Sequence, residues 1–165
     1  MRLLFLILLA VVSIGCNTGL EPPSPDPGIG GVVRFAPGSW PVQDSLQGLW
    51  VFASRQYPLD SARVVEGVLV EPRFIYLYPS LSESLPMYVD MVQFNFALEP
   101  GVYPYIGVIQ QLRTELLVSN FRVVSVLAVP GTDTLPRSIV VHDGEFISGL
   151  DLNVDFHNPP PQPFQ

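Results

Sequence analysis

Two histidines, fifteen carboxylates and a single cysteine are the residues of this 165-residue chain with the most obvious chemistry. A serine-type triad needs a serine on a constrained turn and a histidine base held by a carboxylate. His142-Asp143 and His157 supply the histidines, but no Gly-x-Ser-x-Gly accompanies them. A zinc centre takes three or four His, Cys or carboxylate ligands at set spacing, and two isolated histidines fall short of that. Asp151-x-Asn153-x-Asp155 opens like an EF-hand calcium loop, yet Phe156 and Gln162 stand where the loop needs Gly and Glu. Alternate residues on a strand also lie about 7 Å apart, too far to close round one ion. A glycosidase needs two carboxylates at a defined separation. Glu66, Glu71, Asp90 and Glu99 are available, but spacing selects no pair. The sequence therefore assigns no catalytic residue, no metal and no cofactor, and its expectation is a protein that is not an enzyme.

Aromatic side chains are the better candidates for binding. Trp40, Tyr57, Tyr76, Tyr78 and Tyr105, together with Tyr88 and Tyr103, lie beside prolines or on alternating strands, where exposed rings would form a platform for sugar or protein. The competing reading is that they fill the core or close its ends, as Trp50, Phe52, Phe94 and Phe96 are expected to do.

Composition limits what could hold such a site in place. The formal charge is −7, all eight basic residues are arginines, and 48% of residues are hydrophobic against 14% charged. That balance supports a buried core and excludes wholesale disorder. An acidic chain without lysine is a poor phosphate neutraliser, which excludes nucleic acid as the expected partner. Eighteen prolines argue against a helical bundle, because proline removes a backbone donor and clashes within helices.

The hydrophobic period is two. Val32–Phe35, Leu49–Ala53, Val64–Val70, Phe74–Tyr78, Tyr88–Leu98, Val102–Ile109, Arg122–Val129, Ser138–His142 and Leu150–Phe156 read as strands cut by Pro-Gly and Glu-Pro-Gly turns. Leu49–Ala53 is apolar on both alternating faces, as a strand covered on two sides would be. Asp143-Gly144 is the strongest two-residue hairpin signal, and Gln110–Asn120 is the one stretch with helical leucine spacing. These pieces predict an all-β fold, a single antiparallel β-sandwich (Ig-like or prealbumin-like) of about seven to eight strands at residues 30–157. A proline-rich tether at 16–29 precedes it and a proline-rich tail at 158–165 follows. Residues 58–87 form a proline-interrupted excursion that periodicity does not place.

The opening is a targeting signal by layout: Met1-Arg2, ten apolar residues from Leu3 to Val12, then Ser13-Ile14-Gly15-Cys16. The run is too short for a membrane span of about 20 residues. Gly15-Cys16 after it resembles a bacterial lipoprotein signal, although Ser13 stands where leucine is usual. The resemblance implies that residues 1–15 are removed and that acyl chains on Cys16 tether the mature protein to the membrane. Its net charge is then −8, seven arginines against fifteen acids.

Gly30-Gly31-Val32-Val33, Leu49-Trp50-Val51-Phe52-Ala53, Phe96-Ala97-Leu98-Glu99-Pro100-Gly101-Val102-Tyr103 and the closing Gly149–Phe156 resemble the carboxypeptidase regulatory-like, prealbumin-type sandwich of bacterial surface lipoproteins. That resemblance implies an accessory, non-catalytic module. With the tether, the sandwich periodicity and the lack of a complete catalytic constellation, the expectation is a cell-envelope module facing the periplasm or exterior, whose partner is another envelope protein or a polysaccharide. Two other readings stay open: a carbohydrate-capture lipoprotein of a nutrient-uptake system, and an envelope hydrolase with an unrecognised carboxylate site.

Overall fold

The computed structural model describes residues 25–59, 74–132 and 134–164. Cys16, the targeting signal, most of the tether and the expected Val64–Val70 strand lie outside the described residues. Within them the chain forms strands β1 (Gly28–Phe35), β2 (Gly48–Ser54), β3 (Ile75–Tyr78), β4 (Met91–Ala97), β5 (Gly101–Tyr103), β6 (Tyr105–Gln111), β7 (Phe121–Val126), β8 (Ile139–Val141) and β9 (Phe146–Val154). A three-stranded sheet in the order β4-β1-β9 packs against a four-stranded sheet in the order β3-β2-β6-β7, with a separate β5-β8 pair. The expected all-β sandwich is what forms. One ladder departs from the antiparallel rule, since β1 and β9 run parallel and set the first and last strands side by side. Gly31 permits this approach, because a Cβ there would collide with the Leu150 carbonyl.

The four-stranded sheet is buried on both faces. Every residue of β2 and of β6 is buried, as the two-sided apolar pattern of Leu49–Ala53 requires. Between the sheets lie Ile29, Val33, Val51, Phe94, Ile106, Val108, Leu152 and Val154. On the far side of the four-stranded sheet a second cluster gathers Trp50, Phe52, Leu59, Ile75, Tyr105, Ile109, Val123 and Val126, with Leu81, Phe121 and Phe164 packed against it.

Three local expectations are corrected. Gln110–Asn120 is not helical: β6 runs on through Gln111, and only a 3-10 turn forms at Val118–Asn120. Strand pairing wins because Gln110 and Gln111 face Arg122 and Phe121 of β7, whereas the helically spaced Leu116 and Leu117 stay exposed. Asn120 and Gln111 instead close the loop, donating side-chain hydrogen bonds to the carbonyls of Glu115 (3.0 Å) and Thr114 (3.1 Å). Asp143-Gly144 makes a turn but not a hairpin, since β8 pairs with β5 while β9 pairs with β1. Gly144 alone in that turn has positive φ, at 68°. The third correction is to Val102–Ile109, which divides at Pro104 into β5 and β6 of different sheets.

The proline-rich tail is a structural part of the domain rather than a loose end. Pro163 accepts a backbone hydrogen bond from Leu59 at 3.0 Å, and Phe164 bridges Leu59 in parallel. The Gln162 carboxamide lies along β7: its oxygen accepts the Val123 N–H (2.9 Å) and its nitrogen donates to the Val123 carbonyl (3.0 Å). A side-chain amide thus stands in for the next strand's peptide group and closes this sheet edge. Within the 58–87 excursion, Ser84 and Leu85 take up the Leu49 backbone at 3.0 and 2.8 Å, beyond the end of β3.

Candidate binding face

Five of the aromatics expected to bind are distributed over three regions. Trp40 closes one end of the core, with ring centroids 4.4 Å from Phe35, 4.9 Å from Phe156 and 5.1 Å from Tyr88. Its indole N–H donates to the Val89 carbonyl at 3.3 Å. Tyr105 is only 2% exposed, held 5.3 Å from Phe52 and 4.7 Å from Tyr57, so it offers no ring face to a ligand. β6 is buried on both sides, which sequence alternation around Pro104 did not reveal. Burial, then the nearby Tyr57, pushes the Tyr105 hydroxyl's pKa upward. Tyr57 leaves half of its surface free, on the outer face of the four-stranded sheet.

Tyr76 and Tyr78 are brought together on β3, at the side of the sandwich where, among the described residues, β3 and β4 are the outermost strands of their sheets. Tyr78 stacks on Phe96 of β4 at 5.7 Å and 19°, linking the two sheets. Beside this stack runs a groove of about 290 Å³ lined by Ile75, Tyr76, Leu77, Ser80, Leu81 and the Phe96-Ala97 segment. The floor is apolar, and Ser80 and Tyr76 place polar groups at its rim.

At one end of the groove stands a polar cluster built on Arg55 and Glu99, two residues that the sequence did not single out for binding. The Arg55 guanidinium lies 5.7 Å from the Tyr76 ring and 5.4 Å from the Tyr103 ring, within cation–π range. It donates to Glu99 Oε2 at 3.1 Å, to the Pro100 carbonyl at 3.3 Å and to the Tyr103 hydroxyl at 3.3 Å. Tyr76 donates to the same Glu99 oxygen at 3.0 Å. Burial, then Tyr103 and Glu99, raises the Tyr76 pKa against the opposing pull of Arg55. Tyr103 donates back to the Glu99 carbonyl at 2.7 Å, the arrangement of a tyrosine corner, in which a hydroxyl pins the backbone a few residues upstream. The Leu98-Glu99-Pro100-Gly101-Val102-Tyr103 run was the available signal, legible as a turn but not as an arginine site. The cluster fixes the loop that leads out of β4; among the described residues Arg55 Nε is buried without an acceptor, as Gln110 Oε1 and Ser125 Oγ are without partners elsewhere.

Several of the residues weighed for catalysis and metal binding make local contacts, while Glu66 and Glu71 lie outside the described residues. His142 is exposed, and its backbone N–H donates to Glu145 Oε2 at 3.0 Å in the Asp143-Gly144 turn. Asp151 lies 3.9 Å from Arg34 on the open face of the sheet. Asp155 accepts from Asn158 Nδ2 at 2.8 Å and the His157 N–H at 2.9 Å, and these bonds hold its carboxyl below the usual range. Among the described residues no three His, Cys, Asp or Glu side chains converge, and no helix is long and apolar enough to cross a membrane.

No protein-family model matches the chain, and neither a curated protein nor a solved structure is detectably similar to it.

Proposed function

We propose that this chain is a lipid-anchored, non-catalytic module of the bacterial cell envelope, of carboxypeptidase regulatory-like, prealbumin-type architecture, that binds protein at its β3–β4 side. Gly15-Cys16 after the apolar leader supports the anchor. The carrying observation for binding is that, among the described residues, β3 and β4 both end their sheets and flank an apolar groove. An exposed strand edge adds an extended segment by main-chain hydrogen bonds, and adjacent pockets select its side chains.

Geometry favours protein over polysaccharide as the ligand. A sugar platform calls for two or more coplanar exposed rings, but Tyr78 lies face to face with Phe96 and Trp40 is committed to the core's end. Tyr57 is the sole strongly exposed ring of the five.

A photo-crosslinking residue placed at Ala97 or Ser80 of the full-length protein in intact cells tests this reading. Protein adducts at both positions are expected, with none at Leu135, exposed in a distant loop. Equal labelling at all three, or none at the first two, would contradict it. Labelling with a radioactive fatty acid tests the anchor: wild type takes it up, and equal uptake by Cys16→Ser would remove that part of the proposal.

A further inference from the structure

The edges of this sandwich are not treated alike. β7 is closed by the Gln162 carboxamide. β9 carries Asp151 and an irregularity where it meets Ile29 and Gly31, and β3 is four residues long and stops at Pro79. Short strands, charges, bulges and covering segments are the devices that keep sheet edges from pairing. Among the described residues β4 has none of them: Met91-Val92-Gln93-Phe94-Asn95-Phe96-Ala97 is seven residues without charge or proline, the composition expected of a segment that pairs.

Backbone direction shows which groups β4 offers. The Asp90 carbonyl and the Leu98 N–H both bond toward the β1 side, to Phe35 and Pro27. By antiparallel alternation the even-numbered residues of β4 therefore face β1. Met91, Gln93, Asn95 and Ala97 turn their N–H and C=O groups outward, and no described strand pairs with them. Their side chains are also exposed, whereas Phe94 is buried and Val92 and Phe96 lean on the core.

The geometry points to a second copy of this chain as the occupant, and we propose that β4 pairs antiparallel with β4 of that copy about a two-fold axis at Phe94. This deepens the proposed protein-binding reading and rests on it. The register is self-consistent: outward-facing Gln93 meets Asn95 of the second copy, Met91 meets Ala97, and each forms a mutually hydrogen-bonded pair. On the exposed face amide meets amide and no like charges oppose, while on the core face Val92 meets Phe96. Two three-stranded sheets become one continuous sheet of six strands, and the pairing is isologous, as two-fold dimers require.

The test uses full-length protein in mild detergent. Light scattering is expected to give twice the chain mass for wild type. Gln93→Lys with Asn95→Lys sets lysines opposite one another and is expected to give the chain mass. Gln93→Lys with Asn95→Glu sets opposite charges across the dyad and is expected to restore the doubled mass. Both positions are exposed, and circular dichroism checks that each variant retains its fold. A cysteine at 93 on one tagged copy and at 95 on another, in a Cys16→Ser background, is expected to form a disulfide that the 93 and 97 combination does not. A monomeric wild type, a dimer indifferent to the two lysines, or equal crosslinking by both cysteine combinations would overturn the proposal. If wild type is monomeric while Ala97 still crosslinks to a different protein in cells, self-pairing fails and the protein-binding reading stands. If neither Ala97 nor Ser80 crosslinks to any protein, both fail.

Discussion

Gln162 performs on β7 the task of a whole strand, and the consequence can be measured. Replacing it with alanine leaves both the N–H and the carbonyl of Val123, a buried residue, without their partner. Unmade bonds of buried groups cost about 1–3 kcal/mol each, so Gln162→Ala, which unmakes two, is expected to lower unfolding stability by about 2 kcal/mol or more. Urea unfolding monitored by tryptophan fluorescence checks this, and an unchanged midpoint would mean that the tail contributes little. Tyr103→Phe is expected to cost about 1–2 kcal/mol, because it removes the 2.7 Å bond to the Glu99 carbonyl and one of Arg55's acceptors. At this scale the sequence was only partly legible. Tyr103 could be read as the end of a turn, but Arg55 stands 48 residues earlier, and no local pattern joins the two. Gln162 was equally hidden, since a polar residue among prolines looks like a frayed end until the fold brings it against Val123.

Elements were legible where their burial was one-sided or complete, and misread where pairing overrode local preference. β9 alternates in sequence and alternates in burial, and β2 was apolar on both sides because both its faces are covered. Leu112, Leu116 and Leu117 carried a helical spacing that the β6–β7 ladder outweighed, since long-range hydrogen bonds and burial exceed the small differences in local propensity. Asp143-Gly144 gave the right turn and the wrong partners, because a dipeptide specifies direction and not which sheet receives the next strand. Complete burial of β6 also makes an alkaline prediction. Tyr105 has a raised pKa in the folded state through desolvation and Tyr57, so the folded protein holds a proton that the unfolded chain releases near pH 10. Stability is thus full below about pH 10 and falls above it, by about 1.4 kcal/mol per pH unit for each such tyrosine. Tyr105→Phe is expected to flatten the decline in melting temperature above that pH, and an unaltered slope would place the titration elsewhere. Gly31→Ala is expected to destabilise by about 1–3 kcal/mol, the usual cost of overpacking, since the added methyl meets the Leu150 carbonyl where β1 and β9 run parallel.

Across the described residues, His142, Asp151 and Asp155 take part in turns and surface pairs, and the distinctive feature is how the sheet edges are finished. One side is sealed by the chain's own tail at Gln162, and the other ends in β4 with four residues' backbone groups facing outward. The sandwich itself could be read from periodicity, because a two-residue period with frequent turns permits few architectures. The open edge could not, since strand order depends on which distant segments meet. Residue-resolved amide exchange on the full-length protein tests most directly whether β4 is a pairing edge. At concentrations where the protein pairs, the amides of Met91, Gln93, Asn95 and Ala97 are predicted to be as protected as those of Val92, Phe94 and Phe96. In the Gln93→Lys, Asn95→Lys variant the odd-numbered set alone should lose that protection. Odd-numbered amides that exchange freely in the wild type, at every concentration, would contradict it.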